Sequence, residues 1–206
     1  MPSSPTPGRS VESTGWEEID LYRFFAFVFG APTRERFEWF QQPALASSLA
    51  HLWARLGCPG AFPGVVSFKD YGEYESTYIA LFDVGVPQPP VPLLESAHDK
   101  AQPPQQTALE NTSFYEVLGL ATDTARYAPD HLVTQLEFLS AVRYTRENTP
   151  SEENRKSLAR LEQDFLQRHL LNWVPAAEEK LRRTEAPVYP VLLTLLSAFL
   201  RRRATT

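Results

Sequence analysis

The sequence predicts an all-α fold. Apolar residues recur at helical spacings of three and four along most of the chain, and no run shows the strict alternation of a half-buried strand. Prolines and glycines fall where helices should start and stop. With 206 residues, 43% of them hydrophobic, the chain can close a core of eight to ten helices.

From Trp16 to Phe29 the apolar side chains nearly encircle the axis, which predicts a central helix ended by Gly30 and Pro32. Thr33 to Arg36 reads as an N-cap and charged first turn leading into Phe37, Trp39 and Phe40. Pro43 opens a segment through Leu45, Leu49, Leu52, Trp53 and Leu56, closed by Gly57-Cys-Pro-Gly60. From Lys69 to Phe82, Tyr71, Tyr74, Tyr78 and Leu81 share one side of a helix, a stripe that fits either core or groove. Pro87 to Pro104 holds six of the chain's 18 prolines, which predicts a long proline-rich loop at about 84–112, extended or polyproline II and mobile. Helices then follow near Ser113–Leu118, from His131 to about Glu147, from Glu152 to about Leu171, from Trp173 to Thr184, and from Val188 to Arg203. Residues 1–15 read as a disordered lead-in without the apolar stretch of a secretory signal, and 16–206 as the helical domain.

Charge narrows the function classes. Twenty-five acidic against 20 basic side chains give −5, with no basic footprint for nucleic acid and some attraction for a cationic partner. The longest apolar stretch, Val188 to Leu200, is interrupted by Pro190 and Thr194 and falls short of the roughly 20 residues a membrane span needs, so no membrane insertion is expected. A single cysteine, Cys58, fits a reducing cytoplasm and reads as a small apolar residue. His51, His98, His131 and His169 form no H-x-x-x-H pair, and no glycine-rich phosphate loop occurs, so no metal or cofactor is expected. Arg201-Arg-Arg203 reads as a solvated helix end complementing the helix dipole.

Chemistry concentrates in Ala128-Pro-Asp-His-Leu-Val-Thr-Gln-Leu-Glu-Phe-Leu139. Pro129 keeps Ala128 out of the helical region, and Asp130 is placed to cap the helix that follows. Leu132, Leu136 and Leu139 form its buried stripe, with His131 and Gln135 on an adjoining face and Asp130 and Glu137 two turns apart. The pattern reads first as a capped core helix with solvated polar positions, and a ligand-contacting surface is the alternative. Adjacent Asp130 and His131 diverge from a helix start and make no catalytic dyad by themselves.

Four segments in order resemble the TorD/DmsD/NarJ family of redox-enzyme maturation chaperones. Pro129-Asp-His-Leu132 with Leu136-Glu-Phe-Leu139 is similar to the family's E-P-D-H-L-x-x-E-L-E-F-L signature. Tyr78-Ile-Ala-Leu-Phe82 with Gly85 resembles its Y-x-x-L-F…G segment, and Pro92-Leu-Leu-Glu-Ser96 its P-x-x-E-S segment. Phe165 to Pro175 resembles F-x-x-x-H-L-x-x-W-x-P. Ala128 and Gln135 depart from the signature, each standing where the family has Glu, which removes two charges from the expected binding surface.

The resemblance implies an all-helical, non-enzymatic cytoplasmic chaperone. Its partner would be the apo catalytic subunit of a molybdenum-cofactor oxidoreductase, bound by its twin-arginine leader or N-terminal segment while the cofactor is inserted. On this reading Tyr78, Leu81 and Phe82 wall an apolar groove closed by Leu94, unless those three simply pack the core. Asp130 and Glu137 face the leader's arginines, with Glu95 a further carboxylate, and His131 bonds the peptide backbone or holds the loop. A monomer is expected, with exchange of a helical half as the route to a dimer. Two readings stand beside it: a helical scaffold binding a folded partner subunit through the C-terminal helix, and a small hydrolase or metal enzyme using His131.

Overall fold

Two helices of the computed structural model form the interior, one buried on nearly every side and the other on all but one face, and the others pack around them. The structure describes residues 16–205 except 65, 66, 122 and 124, so the expected lead-in at 1–15 lies outside the described residues. In chain order the helices are α1 (Trp16–Val28), α2 (Arg34–Phe40), α3 (Leu45–Leu56), α4 (Tyr71–Tyr78), α5 (Glu95–His98) and α6 (Pro104–Val117). They continue as α7 (Leu132–Asn148), α8 (Glu152–Phe165), α9 (Leu171–Arg182) and α10 (Tyr189–Ala204). No strand occurs among the described residues.

The two enclosed helices are α7 and α10. Leu132, Val133, Leu136, Phe138, Leu139 and Val142 of α7 are buried, as is almost every residue of α10 from Tyr189 to Leu200. α1 packs along α7 and against α10, bringing Tyr22 and Phe25 onto Phe199 with ring centroids 4.9 and 5.9 Å apart. Phe24 and Phe27, on the outer side of α1, are half-buried because Trp39 of α2 covers both, at 5.6 and 5.7 Å. This is how a helix apolar all round is accommodated without leaving a greasy face in water.

Each terminus has a local cause. Thr33 Oγ1 accepts from the Arg36 N–H and Asp70 Oδ1 from the Glu73 N–H, both side-chain N-caps. Gly57 ends α3 in the left-handed region at φ 67°, where a Cβ would be strained. Arg36 reaches back to α1, donating from Nε to the Phe27 carbonyl at 2.7 Å and from Nη1 to Ala31 at 2.7 Å. A charged side chain thereby satisfies two carbonyls at the C-terminal end of α1 and lies against Gly30.

Several expectations are corrected. The proline-rich segment is built into the fold: Val91 and Leu93 are buried, the Val91 N–H donates to the Leu81 carbonyl, and the Leu132 N–H donates to that of Leu93. Helix α6 begins at Pro104, so the last part of the expected loop is helix, because proline at a helix's first position lacks only an N–H that has no intrahelical partner anyway. The break expected between Leu171 and Trp173 is a π turn, Leu166–Leu170, that carries α8 on into α9 with Pro175 inside. Another π turn, Ile79–Asp83, extends α4. The C-terminal arginines are bonded: Arg203 is buried 2.9 Å from Glu162, Arg201 lies 3.6 Å from Glu178, and Arg202 donates to the Arg55 carbonyl. No described helix is long and apolar enough to cross a membrane.

Candidate functional site

The motifs meet in a buried polar knot. Glu95, at the start of α5, is 1% exposed. It accepts from Gln135 Nε2 at 2.6 Å, from Asn111 Nδ2 at 3.0 Å and, through its two oxygens, from His169 Nδ1 at 3.0 and 3.1 Å. Gln135 in turn accepts from the Trp173 indole N–H at 3.1 Å and donates to Asn111 Oδ1 at 3.0 Å. Tyr115 donates to the Pro129 carbonyl at 2.6 Å, fixing the strand of chain before α7. One carboxylate thus ties together the proline-rich segment, α6, α7 and the π turn before α9. A carboxylate removed from water is stable only when its lone pairs are filled by good donors, and here three side chains fill them.

Asp130 is also interior, at 4% exposed. It does not cap α7. Its Oδ2 accepts from the Ser96 N–H at 3.1 Å and its carbonyl from the Glu95 N–H at 3.0 Å, so it caps α5 and pins the proline-rich segment. The cap of α7 is His131, whose Nδ1 accepts from the Val133 N–H at 3.1 Å. That bond requires a lone pair on Nδ1, so the neutral ring carries its proton on Nε2. Burial holds its pKa down, to about 4, in agreement with a neutral imidazole. The ring stacks on Tyr127 at 4.4 Å, and its Nε2 has no protein partner among the described residues. His98, expected only as a lone histidine, stacks on Trp173 at 5.2 Å with Nε2 2.8 Å from the Pro92 carbonyl. Burial, with Lys180 and Lys100 adding to it, lowers its pKa to about 4.

The remaining candidates divide between inside and outside. Tyr78, Leu81 and Phe82 are 2, 6 and 5% exposed, so they take the core-packing alternative and not the groove wall. Tyr78 donates to the Phe29 carbonyl, and Phe82 packs on Tyr189 with centroids 4.9 Å apart. Gly85 has a steric reason: a Cβ there would lie 2.2 Å from the Gln88 carbonyl oxygen. Gln135 is fully buried, so its neutrality removes no charge from any surface. Leu94 and His131 are half-buried and joined by one isolated antiparallel bridge, while Glu137 is exposed and 3.4 Å from Arg126.

The accessible surface at this place is a trough along the outer face of α7. Thr134, Glu137, Ala141 and Tyr144, spaced three, four and three, line it. One part, of about 290 Å³, is walled by Tyr115, Leu120, Asp123, Tyr127 and Phe138. The other, of about 450 Å³, lies toward α1 and α2 and shares Arg126, Glu137 and Ala141 with the first. Reading the sequence missed Tyr127, Asp123 and Leu120 because they precede the motif in a turn without periodicity. The 19° interplanar stack of Tyr127 on His131 has no sequence signal at all.

The motif side chains are engaged in holding helices together, the trough is open, and no group of three or more His, Cys, Asp or Glu residues able to hold a metal exists among the described residues. The class so defined is an all-helical protein with an open surface trough beside a buried polar knot. The family model described as "Nitrate reductase delta subunit" matches residues 68–179, more than half of the chain, and the protein belongs to that family, whose redox-enzyme maturation members its motifs resemble. Among curated relatives, the selenate reductase assembly chaperone protein of Thauera selenatis is 31% identical over 147 residues, covering 66% of this chain and 70% of that one. The perchlorate reductase assembly chaperone protein of Dechloromonas aromatica (strain RCB) is 27% identical over 129 residues, covering 62% and 56%. The chlorate reductase assembly chaperone protein of Ideonella dechloratans is 34% identical over 121 residues, covering 54% and 58%. A solved structure from Archaeoglobus fulgidus, assigned to redox enzyme maturation, shares the fold with a TM-score of 0.51 over 96% of this chain and 98% of that one, at 18% identity.

Proposed function

We propose that the protein is a cytoplasmic, non-catalytic assembly chaperone for the catalytic subunit of a molybdenum-cofactor oxidoreductase. It binds that subunit's N-terminal leader or segment and holds the apoenzyme until its cofactor is in place. The observation that carries the reading is the match to three relatives that are each an assembly chaperone protein of a reductase. The trough supports it physically. A leader brings arginines and an apolar stretch, and the end of the trough near Tyr127 offers Asp123 and Glu137 beside Leu120, Tyr115 and Phe138.

Within this reading the eight residues drawn from the sequence have two roles. Glu137 contacts the peptide from the trough wall, and the half-buried Leu94 and His131, which do not line the trough, contact it beside the trough, with the His131 Nε2–H donating to a backbone carbonyl. Tyr78, Leu81, Phe82, Glu95 and Asp130 act from inside, holding the proline-rich segment and α7 in register so that the trough keeps its shape. Ordering a disordered leader offsets several kcal/mol of contacts, so an affinity near 1 μM, about −8 kcal/mol, is expected.

The test is affinity capture of the tagged protein from its own anaerobically grown host, followed by mass spectrometry. Wild type should retain one large oxidoreductase subunit, and a His131→Asn, Glu137→Gln variant should lose it while remaining folded. Equal capture by the variant would place the contact elsewhere. Capture of a subunit lacking its N-terminal segment would favour a scaffold that grips the folded partner.

A further inference from the structure

The two parts of the trough share Arg126 and Glu137 and differ in what each adds, Asp123 at one end and Arg23 and Arg36 at the other. At the end toward α1 and α2 stand Arg23, Arg36 and Arg126, against one carboxylate among the described residues, Glu137. In a chain of net charge −5, a local excess of three guanidinium groups over one carboxylate is a departure from the average surface. Arg23 is exposed and, among the described residues, donates from Nε to Ser140 Oγ at 3.2 Å. Arg36 is bonded to carbonyl oxygens and lies over the Phe27 ring at 5.2 Å, so no carboxylate neutralises it among the described residues. Arg126 lies over Tyr127 at 5.1 Å and is about half exposed, its pair with Glu137 long at 3.4 Å. Ala26, Phe27 and Ala141 make the floor apolar.

We propose that this end of the trough docks an acidic segment of the client polypeptide, with an Asp or Glu side chain set between Arg23 and Arg126 and apolar neighbours on Phe27 and Ala141. Charge complementarity points to a carboxylate. Shape points to a polypeptide: from Thr134 to Tyr144 the trough follows ten residues of α7, about 15 Å, the length of four or five extended residues. A small anion would be expected in a tighter site with converging N–H donors, whereas this one is shallow with an apolar floor. The segment is distinct from the basic stretch of a leader, which the Arg23 end would repel. It rests on the binding reading above only in sharing the trough, and it gives the bound chain a direction, with cationic groups toward Asp123 and acidic groups toward Arg23.

The experiment follows the Arg Nε–Hε signals of the full-length protein by NMR during titration with four probes. These are the synthetic peptide Ac-ALEALEA-amide, its Gln counterpart Ac-ALQALQA-amide, inorganic phosphate, and a twin-arginine peptide, Ac-SRRAFLA-amide. The Glu peptide should move the Arg23 and Arg126 signals and the Gln peptide should not. Arg23→Gln should weaken the Glu peptide about fivefold, and 0.5 M NaCl should weaken it further, since an exposed charge pair contributes modestly and is screened. The twin-arginine peptide should be unaffected by Arg23→Gln. Equal shifts from Glu and Gln peptides, or shifts from phosphate matching those of the Glu peptide at equal concentration, would overturn the proposal. Arg23-dependent flotation with vesicles of phosphatidylcholine and phosphatidylglycerol, without a response to the Glu peptide, would assign the patch to a membrane surface and overturn it too. If the Glu peptide binds and the twin-arginine peptide does not, the acidic-segment site stands and leader recognition falls.

Discussion

Replacing Glu95 by Ala should be among the most damaging single changes in the molecule, because its carboxylate lies inside at 1% exposure. The carboxylate accepts from Gln135, Asn111 and His169, all at or below 1% exposure. Two of those donors keep a second acceptor: Asn111 Nδ2 also bonds the Thr107 carbonyl at 3.0 Å, and Gln135 Nε2 also bonds Asn111 Oδ1. The His169 Nδ1–H keeps no acceptor among the described residues, since its 3.3 Å neighbour Asn111 Nδ2 is itself a donor, and its Nε2 is already buried without a partner. One fully orphaned donor, two weakened ones and the cavity left by the side chain total about 3–5 kcal/mol. That is a large share of the roughly 5–15 kcal/mol a domain possesses. Urea unfolding followed by circular dichroism measures it, with an unchanged m-value showing that the same surface is exposed. Glu95→Gln, which keeps one acceptor, should cost less. A Glu95→Ala loss below about 1 kcal/mol, or a Glu95→Ala, His169→Phe cycle with additive effects, would refute the knot as a coupled unit.

Other predictions follow from the same geometry. Glu162→Gln should cost about 3–5 kcal/mol in the same assay, because the carboxylate 2.9 Å from buried Arg203 no longer carries charge, while Arg143 keeps Glu147 at 3.3 Å. Gly85→Ala should lower stability by about 1–3 kcal/mol, since the Gln88 carbonyl must move to admit the methyl group. His98 and His131 both have folded pKa values pushed down to about 4, so the unfolded chain binds more protons below about 6.5. Their stabilisation is therefore complete above that pH and is lost as pH falls toward 4. The urea midpoint should drop between pH 7 and 5, and His131→Asn, which keeps a good N-cap without titrating, should flatten part of that slope. His131→Ala should cost about 1 kcal/mol through loss of the α7 cap.

The helices that bury broad apolar faces were legible in the sequence, because α1, α7 and α10 carry that information in their spacing. The segment from Pro87 to Asn111 was not. Its prolines suggest a free loop, but Val91, Leu93 and Glu95 are held by backbone bonds to Leu81, Leu132 and Asp130, contacts between residues 10 to 40 apart in sequence. The candidate site split for a related reason. Sequence motifs mark residues that matter without saying whether they face water, and Glu95, Asp130 and Gln135 face one another inside. Hydropathy suggests that buried carboxylates and amides are exposed, and only tertiary donors reverse the inference. Glu137, fixed on the outer face by the α7 period, was the carboxylate that periodicity could place. The cap moved from Asp130 to His131 because α5, invisible in the sequence, takes the Asp130 carboxylate for itself.

The central claim is that the protein grips an N-terminal segment of a reductase subunit. The most direct measurement transplants the first 40 or so residues of the captured subunit onto an unrelated soluble reporter and titrates that fusion with the purified protein by calorimetry. The account predicts one-to-one binding near micromolar affinity, lost with His131→Asn, Glu137→Gln. A reporter that stays unbound, while the subunit stripped of the same residues is still captured, would contradict it.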